Sequence, residues 1–297
     1  MNKWINILES IDRRIIYVFV AVALSIPIMM DIDLRPAEMA TADSFFEAVD
    51  KFEIDPGDIV LVASDWGPGT LGENKPQTML AIEHLFRKRV PFALISVYNQ
   101  AAPFLDEVPK EVIQRLEREM PDQKWEYGKD WVNLGFQFGN LTMIQNLAKA
   151  EDFHTHVISD AYGTPLSSIP VMKNVKTIKD VPVIMEFTGL TNAFNNWLQF
   201  FSGPVFLHGC TSVTIPEAFI FYASQQIRGL LEGIAGAARY EYLLYQKYPQ
   251  RLKDSISFRR NTGLSFAQLV ILSFIALGNI GIIARLFKRE GDKSHDV

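Results

Sequence analysis

Only one cysteine, Cys210, stands in the 297 residues. That excludes an intramolecular disulfide and any all-cysteine metal site within one chain, and it leaves the redox compartment unstated. A surplus of positive charge is missing as well. The 29 Lys and Arg against 34 Asp and Glu give a formal net charge of −5, so the basic surface that marks nucleic-acid binding is not expected. Internal repeats and low-complexity tracts are absent, and the chain divides only where its hydrophobicity changes. Apolar residues are abundant at 48%, ample for the core of one large domain.

Two uncharged runs stand near the ends. Residues 15–30 (IIYVFVAVALSIPIMM) follow Arg13 and Arg14 and precede Asp31 and Asp33; residues 264–284 (LSFAQLVILSFIALGNIGIIA) are followed at once by Arg285, Lys288 and Arg289. At ~1.5 Å per residue the first run covers ~24 Å, short of a ~30 Å hydrocarbon core unless the arginines snorkel and draw Ile11 into the span. A cleaved signal peptide competes for this run, with Ala21-Val22-Ala23 as the cleavage site, but cutting there strands the apolar LSIPIMM on the mature terminus. Both runs are read as transmembrane helices in contact with the lipid bilayer. The expected division is a tail at 1–14, a span at 15–30, a domain at 31–263, a span at 264–284 and a basic tail at 285–297. Lys3, Arg13 and Arg14 before the first span outweigh Arg35 and Lys51 well after it, so both termini are expected in the cytoplasm and the domain outside. Neither span carries an ionisable residue, which argues against a transport path.

Between the anchors, apolar β-rich runs at 58–64, 92–98, 131–134, 181–187 and 204–207 alternate with helix-period segments at 76–89, 109–120, 140–150 and 193–201. Strands separated by helix-length segments predict an α/β domain with a doubly wound, mostly parallel sheet, Rossmann-like in architecture. Residues 214–248 are expected to be largely helical. Gly229, Gly233 and Gly236 within that helix predict close approach of another backbone, either the sheet or a partner subunit.

Ligands in such sheets bind beyond the carboxyl ends of the strands. That rule selects Asp65, Asn99, Thr188, His208 and Thr211 as candidate ligand-binding residues. Asp65 directly follows a buried strand, where a carboxylate is able to bind a polar ligand, act as a base, coordinate a metal or cap the following turn. Gly67-Pro68-Gly69-Thr70 is read as lacking both the Gly-Lys-Ser/Thr ending of a nucleotide loop and the Gly-x-Gly-x-x-Gly spacing of a dinucleotide fold, so nucleotide binding ranks low. His208 and Cys210 lie two residues apart on an extended chain, too close to work as a histidine and thiol pair on one carbonyl, and Cys210 reads as structural. His154 and His156 have a metal-like spacing only if extended and read as a surface pair. The sequence names no cofactor and no metal site.

Segments 11–16 (IDRRII), 58–70 (DIVLVASDWGPGT), 127–135 (YGKDWVNLG) and 226–242 (QIRGLLEGIAGAARYEY) resemble a family of bacterial and archaeal membrane-anchored proteins without an established activity. The resemblance implies the two-anchor architecture and transfers no catalytic residue. The function expected is that of a ligand-sensing or scaffolding subunit of a membrane assembly, beside a membrane protein partner or a second copy. The alternative is a membrane-bound hydrolase or transferase that uses Asp65 with the Thr188 and His208 loops.

Overall fold

The computed structural model describes residues 12–30, 32, 34–252 and 256–293. The expected tail up to residue 11 and the last residues of the basic tail, 294–297, lie outside them. The chain separates into two units, residues 36–257 and the two flanking ends.

The unit of residues 36–257 is built on six strands: β1 (Val60–Asp65), β2 (Phe92–Ser96), β3 (Trp131–Phe136), β4 (Val183–Thr188), β5 (Val205–Cys210) and β6 (Gly229–Glu232). They lie in the order β3-β2-β1-β4-β5-β6, and every neighbouring pair is parallel. All residues of β1, β2 and β4 are buried, the pattern of a sheet covered on both faces. Successive side chains of β1 go to opposite cores. Val60 and Val62 pack with α2 (Ala40–Lys51), α3 (Leu71–Lys88), α4 (Ala102–Glu119) and α8 (Gly233–Lys247). Leu61 and Ala63 pack with α5 (Leu141–Lys149), α6 (Thr191–Phe200) and α7 (Ile215–Ala223). The expected doubly wound α/β sheet is therefore present, and it is parallel throughout.

Three expectations are corrected. Pro76 and Pro109 do not start helices; both lie inside them, buried, because packing against the sheet outweighs the lost backbone bond. The segment 214–248 is not one long helix, since β6 stands between α7 and α8. A buried strand of four residues has no alternation to read. Its glycines serve packing within the domain: a Cβ on Gly229 would collide with the backbone of Phe45 on α2, and Gly233 turns the chain into α8 with φ +52°. Finally, β5 continues to Cys210, so His208 is inside the sheet and not in the loop beyond it.

At the far ends of α3, α4 and α8 lies a buried network of arginine and glutamate. Arg251 donates to both oxygens of Glu83 (2.7 and 2.9 Å) and to Glu241 (2.8 Å). Arg87 bonds Glu83 (2.8 Å) and Glu119.

The second unit contains α1 (Arg13–Met29) and α9 (Ile256–Lys293). Within α9, Ser257–Asn279 is long and apolar enough to cross a membrane. At 17 residues, α1 is ~25 Å long and stops short of the ~30 Å hydrocarbon core. The two helices run antiparallel: Phe19 meets Phe274 at 5.9 Å between ring centres, and Gly263 faces the carbonyl of Leu24. Apolar side chains remain exposed on both, among them Tyr17, Val18 and Ile28 on α1 and Leu269, Leu272 and Ile275 on α9.

Candidate functional site

The order of strands reverses between β1 and β4. The chain leaves β1 over one face of the sheet and β4 over the other, which opens a crevice at their carboxyl ends. Asp65 closes β1 there, fully buried. Its Oδ1 accepts from the Ser96 hydroxyl and the Val97 amide, both at 2.7 Å, and its Oδ2 accepts from the Trp197 indole at 2.7 Å. Burial raises its pKa, against the pull of these donors. The carboxylate thus ties β1 to β2 and α6 and has its lone pairs directed at the protein. Thr188, the last residue of β4, is used in the same way: it donates to the Asp65 carbonyl (2.7 Å) and accepts from the Leu190 amide (2.9 Å).

His208 sits two residues below the end of β5, paired in register with Glu186 of β4. The imidazole stacks on Phe194 at 4.1 Å between centres. Its Nδ1 lies 2.6 Å from Glu186 Oε2, yet out of line for a hydrogen bond, and meets the Glu186 carbonyl oxygen at 3.2 Å instead. Burial, with the nearby Asp65 charge, pushes the Glu186 carboxyl well up; burial takes His208 down to about 3. Both side chains are sealed from solvent.

Thr211 is nearly buried and lies against Gly189 beyond β4. A Cβ on Gly189 would come within 2.8 Å of the methyls of both Thr70 and Thr211, so the loops after β1, β4 and β5 meet at this one glycine. Asn99 is exposed, in a short turn at 99–101. The structure therefore brings Asp65 and Thr188 together, places His208 beneath them and leaves Asn99 apart. Cys210 is buried, and burial pushes its thiol up to about 12, as befits a structural residue. His154 bonds the Met172 carbonyl (3.0 Å) and Lys176 (3.1 Å) from a short 3₁₀ turn, while His156 is exposed.

Two cavities open at this end of the sheet. One of about 440 Å³ occupies the crevice itself, between Val97 and Tyr98 after β2, Asn140 at the start of α5, and residues 189–193 after β4. The uncapped first turn of α6 forms one wall, where backbone amides have no partner within the helix. The other, about 690 Å³, lies at the edge strand β3 beside Asp106, Gln137, His156 and Tyr162. Its acids are engaged: Asp160 accepts from the Tyr127 hydroxyl and the amides of Tyr162 and Thr164, and Asp106 bonds Lys110 and Tyr162.

The low rank given to nucleotides is corrected in one respect. Gly67, Gly69 and Gly72 do stand at Gly-x-Gly-x-x-Gly, directly after β1 and at the start of α3, in a sheet with the strand order of dinucleotide folds. The surroundings do not fit a dinucleotide. Gln100 and Tyr98 pack over Gly67, at 2.9 and 3.3 Å from the place of a Cβ. Beta2 ends in Ser96, turned to Asp65, where a ribose would need an acid. Thr70, Gly189 and Thr211 close the gap between the β1 and β4 loops.

Sequence reasoning passed over the polar start of α3. Gln77 Nε2 lies within 3.1 Å of the carbonyls of Cys210, Leu231 and Gly233, Asn74 reaches Gly209 (3.3 Å), and Glu73 accepts from the amide and hydroxyl of Ser212 (2.7 and 2.6 Å). These side chains clamp the ends of β5 and β6 to α3. A comparison with known protein families finds no match, and none of the curated proteins matches either.

Proposed function

We propose that the chain is a membrane-anchored α/β domain that binds a small polar ligand in the crevice between β1 and β4, as a sensing or scaffolding subunit of a membrane assembly. One observation carries the reading: the acid at the switch point has its carboxylate filled by three protein donors. What the crevice offers a ligand is uncharged, namely Tyr98, Asn140, Asn192 and the first turn of α6. Such groups orient a ligand; they include no acid or base poised near neutrality for proton transfer. Anchoring rests on the apolar span in α9 and on α1 as a second, shorter span with Arg13 and Arg14 at the headgroups. Positive charge at Lys3 and in the first turn of α1, at Arg13 and Arg14, favours both termini in the cytoplasm and the domain outside.

The test is ligand retention. The full chain is purified in mild detergent beside Asn192→Trp, a substitution at an exposed crevice residue, and small molecules released on unfolding are compared by mass spectrometry. A species held by the wild type and missing from the variant supports the reading; identical profiles contradict it.

A hydrolase or transferase reading draws on the Glu186–His208 pair, whose pKa values are driven apart as in acid and base partners. Both side chains are sealed, so this reading requires solvent to reach His208. Hydrogen exchange at the His208 ring within seconds would favour it, and exchange only on global unfolding speaks for the binding domain.

A further inference from the structure

Helix α7 has the wrong outer surface for a helix facing water. Pro216, Phe219, Ile220 and Ala223 are exposed, spaced to form one stripe, and Val213 in the loop before it is 87% exposed. Surface helices ordinarily carry charge along that line. The sole charged residue of α7, Glu217, is turned inward, accepting from Thr191 (2.9 Å) and Asn195 (3.1 Å) of α6. The inner face is ordinary: Ala218 is buried and Phe221 packs on Phe194.

We infer that this stripe is a membrane-surface contact, seated in the headgroup region of the bilayer; the inference rests on the anchoring reading above. Connectivity selects lipid as the occupant. Tyr222 of α7 bonds Ser44 (2.9 Å) and the Ala40 carbonyl (3.5 Å) in the first turn of α2, and Ala40 follows the end of α1 by eleven residues. That linker spans at most ~38 Å when fully extended, so the stripe is tethered near any bilayer that holds α1, and weak insertion suffices at such an effective concentration. The flank of the helix suits a headgroup layer, since Arg228 is exposed and basic just beyond it.

The full chain is reconstituted into phosphatidylcholine vesicles with a minor share of phosphatidylglycerol and with shallow spin-labelled lipid in both leaflets. A nitrobenzoxadiazole probe is placed on Ile220→Cys, and on Lys110→Cys of α4 as control. Both sites are exposed, so neither variant disturbs the core. Expected is about two-fold quenching at residue 220, as for a side chain ~5–10 Å into the headgroup boundary, with little at residue 110. Equal quenching at the two sites overturns the inference, as does a blue-shifted but unquenched probe at 220, which would mean a protein partner or a second copy covers the stripe. If the chain fails to float with alkali-washed vesicles, the anchoring reading falls and takes this inference with it. Flotation without quenching removes the inference alone.

Discussion

Replacing Asp65 by asparagine keeps the shape of the side chain and removes one acceptor. Turned to keep its oxygen toward Ser96 and Val97, the amide retains two of three bonds and sets its NH₂ against the Trp197 indole N–H. The Trp197 N–H and the new amide NH₂ then face each other as buried donors without an acceptor, at a cost of ~1–3 kcal/mol, of which removal of a buried charge returns part. At about 2–4 °C per kcal/mol for a domain of this size, the cost before that return corresponds to a fall of ~2–12 °C in melting temperature, and the return places the expected fall in the lower half of that range. Thermal unfolding of the full chain in detergent, followed by tryptophan fluorescence and circular dichroism, measures it. Trp197→Phe removes the donor that asparagine offends, so the double variant should be less destabilised than the sum of the two, with a coupling of ~1 kcal/mol. An unchanged melting temperature together with lost ligand retention would refute the reasoning, because Asp65 would then face the ligand and not the protein.

The glutamate network sets the acid limit of stability. Burial raises Glu83, but Arg251 and then Arg115 and Arg87 outweigh it and hold the carboxyl down to about 2. A depressed acid stabilises the fold above its unfolded pKa of 4.5, and that stability is lost as pH falls from there through 2; the shift is worth ~3 kcal/mol. Denaturant titrations at stepped pH should show a flatter acid limb in Glu83→Gln than in the wild type. Arg251→Met leaves Glu83 and Glu241 short of their main partner, and equilibrium unfolding should register a loss of ~3–5 kcal/mol. Gly229→Ala forces a methyl into the backbone of Phe45 and should destabilise by ~1–3 kcal/mol. Gly69→Ala is the contrast, since nothing lies within 4 Å of that position, and the two melting curves should separate clearly.

The parallel sheet is legible because strands buried on both faces read as unbroken apolar runs with helix-length spacers, and 60–63 and 92–95 are such runs. Strand β6 is not, because the four residues Gly229 to Glu232 run straight into Gly233 and look like part of a helix. His208 reads as loop in the sequence because His-Gly-Cys has no strand signature; its stacking on Phe194 and its neighbour Glu186 come from distant segments. Asn74 and Gln77 look like solvent-facing polar residues of an amphipathic helix, and only the ends of β5 and β6 give them work. The glycine spacing at 67, 69 and 72 is plain in the chain. What decides against a dinucleotide, Gln100 and Tyr98 over Gly67, is visible only in three dimensions. The place of Asp65 directly after a strand is legible in the sequence, but its partners Ser96 and Trp197 lie 31 and 132 residues away.

Anchoring with the domain outside is tested most directly by labelling Lys110→Cys in intact cells with a membrane-impermeant thiol reagent. Cys210 is silent in the folded protein, being buried with its thiol pushed up to about 12, whereas residue 110 lies on the surface of α4. The account predicts labelling in intact cells and retention of the labelled chain in alkali-washed membranes. Labelling only after the membrane is opened would contradict the topology, and release by the alkaline wash would contradict the anchoring.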